Sequence, residues 1–436
     1  MRPQSKAGTS QSVLSDHAQF YDEQRSVLPV ESCMQFCVLG SALGTAEHLL
    51  ISDAHFSWVS EVPDDVLRLG ETNPSSVSLD YVAKLFRQEI PAFATVPHAK
   101  FFRSVGLGPE EVHWQKVLDP ASYHAVIEDM VRGSRGVTDA LQKSGYGSTL
   151  SNRLKLLAGL QRARIDRNEL VDRIRCEQDT TQVSNLRTFM PGNDGYANVV
   201  RYDGTSTSTG RMNVSSGPRI LTLRKKHRNL IRSSWCDEGE VISIDYASLE
   251  PRISLALNGY TVEGDVYEWI DTEVFNGKLG RTKAKILTLS IIYGMSLHSA
   301  RSRYGDISPA AKKRLRSMFS VDETTKRLST VSEGELRNHF GRPIFPDSQN
   351  KLFNAFIQST AVDAAVLGFG EIVAKLQEAG GCRPLFLIHD EIICDVPISV
   401  STQAQEIFKD GIEIAFRDRS VKFPVTVEKI SAKRNG

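Results

Sequence analysis

Apolar runs of strand length occur at several places along the chain, with long helical stretches between them. Five runs predict strands: 35–39, 48–52, 241–246, 385–396 and 421–428. The fourth run predicts a hairpin that buries His389, Asp390 and Glu391 at its bend. Three stretches predict long helices: 281–292, 309–319 and 352–376. Strands separated by long helical insertions indicate an α+β sheet with helices on one side.

The segment from about residue 110 to residue 179 is helical and charged. Apolar side chains recur at nearly helical spacing, as at Leu150, Leu154 and Leu157. Glycines interrupt this pattern: Gly133, Gly136, Gly145 and Gly147. We therefore predict antiparallel helices joined by a flexible tip, although a plain helical bundle explains the spacing equally well.

Length and composition indicate a multi-domain protein. With 436 residues, 40% of them hydrophobic, the chain can bury two or three cores. No run approaches the eighteen or so apolar residues of a membrane helix, and the first residues lack the apolar core of a secretory signal. Six scattered cysteines favour a reducing, cytoplasmic setting, with Cys33 and Cys37 as buried thiols and not zinc ligands.

The net charge of +1 argues against a protein that coats nucleic acid indiscriminately. Basic residues are instead concentrated in three short runs, at 224–228, 281–285 and 312–316. Local positive stripes are sufficient for a channel that binds phosphate groups. For 312–316 a solvated helix face is an equally good interpretation.

Two aspartates stand where a divalent metal site could form. Asp245 ends an apolar strand, and Asp390 lies at the hairpin bend. Carboxylates at such rigid positions suit Mg²⁺, and a pair of these ions can activate a hydroxyl and stabilise a leaving pyrophosphate. Taken singly, either aspartate would more often be a cap or a turn residue. The apolar runs on both sides of the second one favour the metal site.

A basic helix supplies a second set of candidates. Arg281, Lys285, Leu289 and Tyr293 are spaced four apart and form one stripe, which Gly294 follows. The first two lie about 6 Å apart along a helix axis, within reach of a triphosphate. An arginine fork and a compact lysine charge both bind phosphate oxygens. A surface helix with ordinary basic residues is the alternative.

Three segments occur in a fixed order: 245–252 (Asp-Tyr-Ala-Ser-Leu-Glu-Pro-Arg), 281–294 and 389–391 (His-Asp-Glu). This set resembles motifs A, B and C of the family A DNA polymerases, over roughly residues 209–436. The resemblance implies a right-hand α+β fold with an antiparallel palm sheet, helical fingers and a helical thumb. The implied limits are an N-terminal region at 1–108, thumb 109–190, palm 191–255, fingers 256–344 and palm again 345–436.

The resemblance also implies roles for single residues. Metal ligands would be Asp245 and Asp390, holding two Mg²⁺ ions that Mn²⁺ can replace, with Lys285 and Glu391 as further catalytic residues. Contacts to a dNTP would come from Arg281, Lys285, Tyr293, Glu250, Tyr267 and Leu289. Contacts to primer–template DNA would come from Arg211, Asn354, Gln358, His389 and Gly294.

Some positions differ from the usual residues of the family, and one distinguishes DNA synthesis from RNA synthesis. Glu250 favours DNA synthesis, because the related phage-type RNA polymerases lack a Glu there. Tyr267 replaces a frequent His and Leu289 replaces an aromatic residue, which leaves nucleotide selection open. Residues 51–55 have His55 where an exonuclease needs Glu, so we predict neither a 3′→5′ exonuclease nor a 5′-nuclease. Editing would then need a separate exonuclease or replisome protein.

The sequence therefore predicts a compact DNA-templated DNA polymerase of phage-like or otherwise reduced origin. RNA or primer synthesis on DNA is one alternative. A two-metal nuclease would also use paired carboxylates but has no need of the basic stripe. A catalytically idle DNA-binding subunit is a third alternative, against which the intact aspartate pair argues.

Overall fold

The computed structural model describes residues 35–52, 55–64, 66–71, 78–305, 307–332, 334–416 and 419–430. Cys33 and the stretch 53–54 of the exonuclease comparison lie outside these residues. The helices of the described part are α1 (Gly40–Leu43), α2 (Leu79–Leu85), α3 (Pro97–Ser104), α4 (Trp114–Val117), α5 (Pro120–Ser144), α6 (Gly147–Ala158), α7 (Arg167–Cys176), α8 (Thr180–Arg187), α9 (Leu249–Leu257), α10 (Val266–Phe275), α11 (Arg281–Ile292), α12 (Leu297–Tyr304), α13 (Pro309–Met318), α14 (Val321–Ser329), α15 (Leu352–Glu378) and α16 (Ile398–Ile407).

The strands of the described part form two four-stranded sheets and three short pairs. Their bounds are β1 (Phe36–Val38), β2 (His48–Ser52), β3 (His55–Val59), β4 (Leu67–Leu69), β5 (Arg164–Ile165), β6 (Arg201–Asp203), β7 (Asn213–Ser216), β8 (Ile231–Arg232), β9 (Gly239–Tyr246), β10 (Arg383–Ile388), β11 (Glu391–Pro397), β12 (Ile412–Ala415), β13 (Ser420–Phe423) and β14 (Val425–Lys429). Each apolar run that predicts a strand contains strand structure, although the last run is divided between two strands.

The first sheet has the order β3-β2-β1-β4, with β1 antiparallel to β2 and parallel to β4. It is joined to the following helices by Tyr123 of α5, whose hydroxyl donates to the Leu43 carbonyl at 2.9 Å. Phe93 stacks between Tyr123 and Trp114, at ring-centroid distances of 5.3 and 5.6 Å. Since one continuous core includes Phe36 and the palm strands, the N-terminal sheet is packed as part of the larger body.

The second sheet, in the predicted palm, has the order β10-β11-β9-β14 and is antiparallel throughout. Residues 241–244 of β9 are all buried, because the long helix α15 and neighbouring segments cover the sheet. A separate core holds α10–α14 together with the first turns of α15. This second core corresponds to the predicted fingers, and the predicted domain limits themselves stay a prediction.

Two local predictions are wrong. Gly133 and Gly136 do not interrupt the helical segment, because α5 runs through both and ends at Gly145, which has a left-handed φ of 69°. Packing overrides the low helix propensity of glycine here, since Gly133 lies against Pro91. The single final strand is in fact two strands in different sheets, divided at Pro424, which has no amide hydrogen for a ladder.

One helix is more apolar than the sequence reading allowed. The stretch Gln349–Glu378 is long and apolar enough to cross a membrane by length and composition alone. In the structure, 78% of its most apolar window is buried inside the protein. Its apolar character is therefore accounted for by its place at the centre of the molecule.

Candidate active site

The palm sheet brings three carboxylates to one of its ends. Strand β11 runs antiparallel to β9, and the register places Glu391 directly opposite Asp245. The amide of Tyr246 donates to the carbonyl oxygen of Asp390 at 3.1 Å. Residues opposite each other on antiparallel strands have Cβ atoms about 5 Å apart. Asp245, Asp390 and Glu391 thus lie together, although Asp390 is 145 residues further along the chain than Asp245 (390 − 245).

The bend that carries these acids is at the surface. The strands on both sides are buried as predicted, but His389 is exposed, and Asp390 and Glu391 are partly exposed. The prediction of a buried bend is wrong, because the chain reverses within two residues at the edge of the sheet. His389 makes this turn possible with a φ of 56°, a left-handed conformation that is uncommon for residues other than glycine.

Crowding among the carboxylates changes how they hold protons. Desolvation, followed by the charges of Asp390 and Glu391, raises the pKa of Asp245 from 3.8 to about 7. Burial likewise raises the pKa of Asp390. The Asp245 side chain reaches solvent, but the neighbouring acids still repel its charge. Such a site favours either protonation or a bound cation.

Arg228 neutralises the third carboxylate. Its Nη1 donates to both oxygens of Glu391, at 2.9 and 2.7 Å, and both side chains are largely buried. Sequence reasoning missed this pairing, since the only signal was the basic run 224–228. Glu391 is therefore held by a guanidinium, whereas Asp245 and Asp390 are the acids whose proton affinity is raised.

Among the described residues, no group of three or more His, Cys, Asp or Glu side chains is gathered closely enough to hold a metal ion. Asp245 and Asp390 would thus supply two carboxylates, and any ion there would need further oxygens from a ligand or water. The donor set, two oxygen-bearing side chains that repel each other, fits Mg²⁺ or Mn²⁺.

The basic stripe lies on α11, as predicted. Arg281 begins the helix and its Nε donates to Asp265, the residue that caps α10, at 2.8 Å. One turn later, the Lys285 ammonium is 5.6 Å from the ring centroid of Tyr267. Tyr267 is only 2% exposed, so its ring lies beneath the lysine within the helical core and not at an open surface. Sequence reasoning missed Asp265, whose only signal was its place before a helix.

Glu250 connects the palm to this helix. Its carboxylate accepts a hydrogen bond from the Tyr293 hydroxyl at the end of α11, and one from Arg211 at 2.7 Å. Burial and the charge of Glu250 raise the pKa of Tyr293. Three residues that lie far apart in sequence therefore meet at one point.

The remaining candidates lie around these groups. Gly294 follows Tyr293 with a φ of 104°, and a Cβ there would meet no atom within 4 Å, so conformation and not space requires glycine. Leu289 is partly buried against the helical core. Asn354 and Gln358 lie one turn apart on α15, and the Asn354 Oδ1 is buried with no hydrogen-bond partner in the described part of the chain.

The basic run 224–228 is engaged within the protein. Arg224 pairs with Asp179 at 2.5 Å, Lys225 with Glu428 at 2.5 Å, and Lys226 with Glu177 at 3.0 Å. Together with the Arg228–Glu391 pair, these contacts neutralise the run. These contacts tie neighbouring segments together, while the side chains of Arg224, Lys225 and Lys226 stay 47, 69 and 61% exposed. A phosphate-binding stripe at this run stays a prediction.

Comparison with known proteins gives consistent matches. The profile of a family described as DNA polymerase family A matches residues 137–434. DNA polymerase I, thermostable, of Thermus caldophilus is 24% identical over 317 residues, which cover 63% of this chain and 37% of that protein. DNA polymerase I of Streptococcus pneumoniae serotype 4 is 22% identical over 63% of this chain and 35% of its own length. The match thus spans little more than a third of these relatives.

Among solved structures, one is the POL domain of Pol1 from M. smegmatis in complex with DNA primer-template and dNTP. It superposes with a TM-score of 0.56 at 12% identity, over 94% of this chain and 97% of that one. At this identity the likeness concerns the fold, and the predicted α+β right-hand fold is confirmed.

Proposed function

The chain belongs to DNA polymerase family A, and on that basis we propose that it extends the 3′ end of a DNA primer with dNTPs, directed by a DNA template, in the cytoplasm. The M. smegmatis domain of the same fold was solved with DNA primer-template and dNTP, which supports these ligands here. The activity is a proposal for this chain, since its match spans 37% of the T. caldophilus polymerase.

One observation carries the proposal: the contact between Glu250 and Tyr293. Glu250 lies five residues beyond Asp245, and Tyr293 lies two turns beyond Lys285. Their hydrogen bond therefore brings the strand with the acids and the helix with the phosphate-binding cations to the same cleft. A nuclease would need the acids but not the cationic helix.

We assign Asp245 and Asp390 as the residues that would hold two Mg²⁺ ions, with Mn²⁺ able to substitute. Such ions, when bound, lower the pKa of the primer hydroxyl and stabilise charge on the departing pyrophosphate. The raised pKa of Asp245 supports the assignment, because two neighbouring carboxylates that resist ionisation are stabilised by a cation. Glu391, held by Arg228, would shape the pocket around them.

Arg281 and Lys285 would bind the triphosphate. Arg281 is paired with Asp265 at 2.8 Å, so phosphate oxygens would replace a carboxylate in its fork. Lys285 is exposed, and its ammonium can approach the leaving pyrophosphate and donate a proton to it. Tyr267 would act mainly as the aromatic surface beneath this ammonium.

Glu250 would restrict the sugar to deoxyribose. Its carboxylate is fixed from two sides, by Tyr293 and Arg211, and a fixed group excludes an added hydroxyl better than a mobile one. Leu289 lies on the same helix as the phosphate-binding pair. Primer and template contacts are assigned to Arg211, Asn354, Gln358, His389 and Gly294.

We also propose that the N-terminal sheet has no editing activity. Strand β1 consists of Phe36, Cys37 and Val38, none of which can bind a metal as a carboxylate does. Proofreading would then come from a separate exonuclease or replisome protein. Incubation of a labelled primer with a mismatched 3′ end should leave its length unchanged in the absence of dNTPs.

The test is extension of a labelled primer on a DNA template, with each dNTP or rNTP, with and without Mg²⁺. Wild-type protein should add dNTPs only when the ion is present. Asp390→Asn should abolish addition while primer–template affinity stays within about twofold, because the substitution preserves shape but removes a ligand charge. Asp237→Asn, an exposed aspartate near the opposite end of β9, is the matched control and should extend normally.

Retained activity in Asp390→Asn would refute the metal assignment. Preference for rNTPs in the wild type would favour the RNA polymerase alternative. Failure of the wild-type protein to add any nucleotide, with DNA binding intact, would favour an idle DNA-binding subunit.

A further inference from the structure

A second cluster of charged residues is buried where helix α6 packs against helix α15. Arg153 of α6 and Arg342 have side chains 1% and 2% exposed, and Asp363 of α15 is fully buried. Both guanidiniums donate to the same oxygen, Oδ1 of Asp363, at 3.3 and 3.2 Å. Tyr146 donates to that oxygen as well, at 2.8 Å. Two cations thus converge on one carboxylate, an arrangement that is costly to bury unless their other donors are also satisfied.

One further nitrogen of each arginine binds a carbonyl of a single loop, whereas the Arg153 Nε is buried without a hydrogen-bond partner in the described part of the chain. Arg342 Nη2 donates to the carbonyl of Gly204 at 2.5 Å, and Arg153 Nη2 donates to the carbonyl of Gly210 at 3.2 Å. The loop between β6 and β7 spans residues 204–212, so Gly204 is its first residue and Gly210 lies two residues before its last. The loop is therefore held at its start and near its end by side chains whose positions depend on Asp363.

At Gly204 and at Gly210, a nearby guanidinium leaves no room for a side chain. A Cβ on Gly204 would lie 1.8 Å from Arg153 Nη2, and a Cβ on Gly210 would lie 2.1 Å from Arg342 Cζ. Each guanidinium thus donates to the carbonyl of one glycine and lies where a side chain on the other would be. Gly210 also has a φ of 74°, which a side chain would disfavour. The loop and the two arginines therefore contact each other closely at both glycines.

Gly210 directly precedes Arg211, whose guanidinium is 2.7 Å from Glu250. We propose that Arg153, Arg342 and Asp363 are positioning residues, which set the place of Arg211 and through it the sugar-selecting carboxylate and the primer end. This inference rests on the proposed function and deepens it. A merely structural cluster would stabilise the fold without acting through Arg211.

The test displaces one guanidinium without deleting a charge. Gly204→Ala should push Arg153 away from Gly210 and shift Arg211, which lowers the efficiency of primer extension on the order of a hundredfold. Gly40→Ala is the matched control: like Gly204, Gly40 has no left-handed φ, a Cβ would lie 2.6 Å from the Thr45 carbonyl oxygen, and the residue begins α1 beside the N-terminal sheet. This variant should be destabilised to a similar degree and extend nearly as well as the wild type.

A double-mutant cycle separates positioning from general stability. In an Arg211→Ala background, Gly204→Ala should change extension by no more than about twofold, because the group through which it acts is already absent. Two losses that multiply would overturn the proposal. Replacement of Arg153 by Lys, which keeps the charge but loses the second donor, should reproduce the loss shown by Gly204→Ala.

Hydrogen exchange tests the positioning without reference to activity. Amides of residues 205–212 should exchange about tenfold faster in Gly204→Ala than in the wild type, and at the wild-type rate in Gly40→Ala. Unchanged exchange in the loop of Gly204→Ala would overturn the proposal. If the wild-type protein extends no primer, the proposed function fails, but this comparison still decides whether the cluster fixes the loop.

Discussion

At the residue scale, the ion pairing and protonation of individual carboxylates determine the properties of the site. Glu391 is bound by Arg228, while Asp245 and Asp390 retain protons to a higher pH than isolated aspartates do. A raised acid pKa means that ionisation is unfavourable in the folded protein. The same two groups are those that a divalent cation would stabilise.

The raised pKa of Asp245 predicts that the stability of the metal-free protein depends on pH. The folded protein holds the Asp245 proton up to about pH 7, whereas the unfolded chain releases it near 3.8. The folded state therefore binds the extra proton between these values, and metal-free stability falls as pH rises through them. In EDTA, Asp245→Asn should melt above the wild type at roughly pH 8, and the difference should disappear at roughly pH 4.

The stabilising effect of Mg²⁺ should increase with pH, whereas the stability of the metal-free protein decreases. Addition of the ion should raise the wild-type Tm by about 2 °C near pH 8 and have no effect near pH 5, where protons occupy the site. Asp245→Asn should lose most of the response at either pH. An equal response in wild type and variant would contradict the assignment of this aspartate as a ligand.

Glu250 and Tyr293 give a second prediction at this scale. Glu250→Ala should raise the use of rNTPs relative to dNTPs by about a hundredfold, because the group that fills the 2′ position is removed. Tyr293→Phe removes only the hydrogen bond that holds Glu250, so the ratio should rise by about tenfold. The check is kcat/KM for each nucleotide class, and equal discrimination in all three proteins would refute the role of Glu250.

At the scale of elements, the packing of helix α15 against strand β9 is the most consequential contact. Its middle packs against the end of β9, where Gly368 faces Tyr246, the neighbour of Asp245. A Cβ at Gly368 would lie 1.9 Å from the Tyr246 hydroxyl oxygen, and that tyrosine is 3% exposed. The absence of a side chain on this helix therefore permits the strand that carries the acid to approach closely.

Two glycines on this helix make a controlled comparison. Gly368→Ala should lower the free energy of unfolding by about 2 kcal/mol through overpacking, and should slow primer extension by displacing Tyr246. At Gly370 a Cβ would meet no atom of the described residues within 4 Å. Gly370→Ala should therefore raise the free energy of unfolding by about 0.5 kcal/mol through helix propensity. Denaturant unfolding measures both, and equal destabilisation would refute the close-packing argument.

At the scale of the whole molecule, charge is balanced by internal pairing. The net charge is +1, and the basic run 224–228 is matched by carboxylates from distant segments. We therefore expect binding of duplex DNA to depend mainly on other exposed cations. Its salt dependence should still be steep, because each phosphate contact releases counterions.

Affinity for primer–template should fall by about a thousandfold between roughly 50 and 200 mM salt if six or more phosphates are contacted. Arg224→Ala should leave this slope unchanged, because Arg224 already pairs with Asp179. A slope reduced by about one unit in Arg224→Ala would show that the run contacts DNA after all. Fluorescence anisotropy across a salt series measures both proteins.

The sequence predicted local features well and distant contacts poorly. Strand β9 and helix α11 follow from runs of apolar and spaced residues, which are visible within a dozen positions. Pairings such as Arg228 with Glu391 and Arg153 with Asp363 join residues 163 and 210 positions apart. No periodicity encodes such contacts, so the carboxylate cluster could be proposed from the sequence but its arginine partner could not.

Helix α15 belongs to both hydrophobic cores. Phe353 and Ile357 pack with the helical fingers, while Ala361 and Phe369 pack with the palm and N-terminal sheet. Because one unbroken helix contributes side chains to both cores, damage to either core would destabilise the other. We therefore expect the two to unfold together in a single cooperative transition.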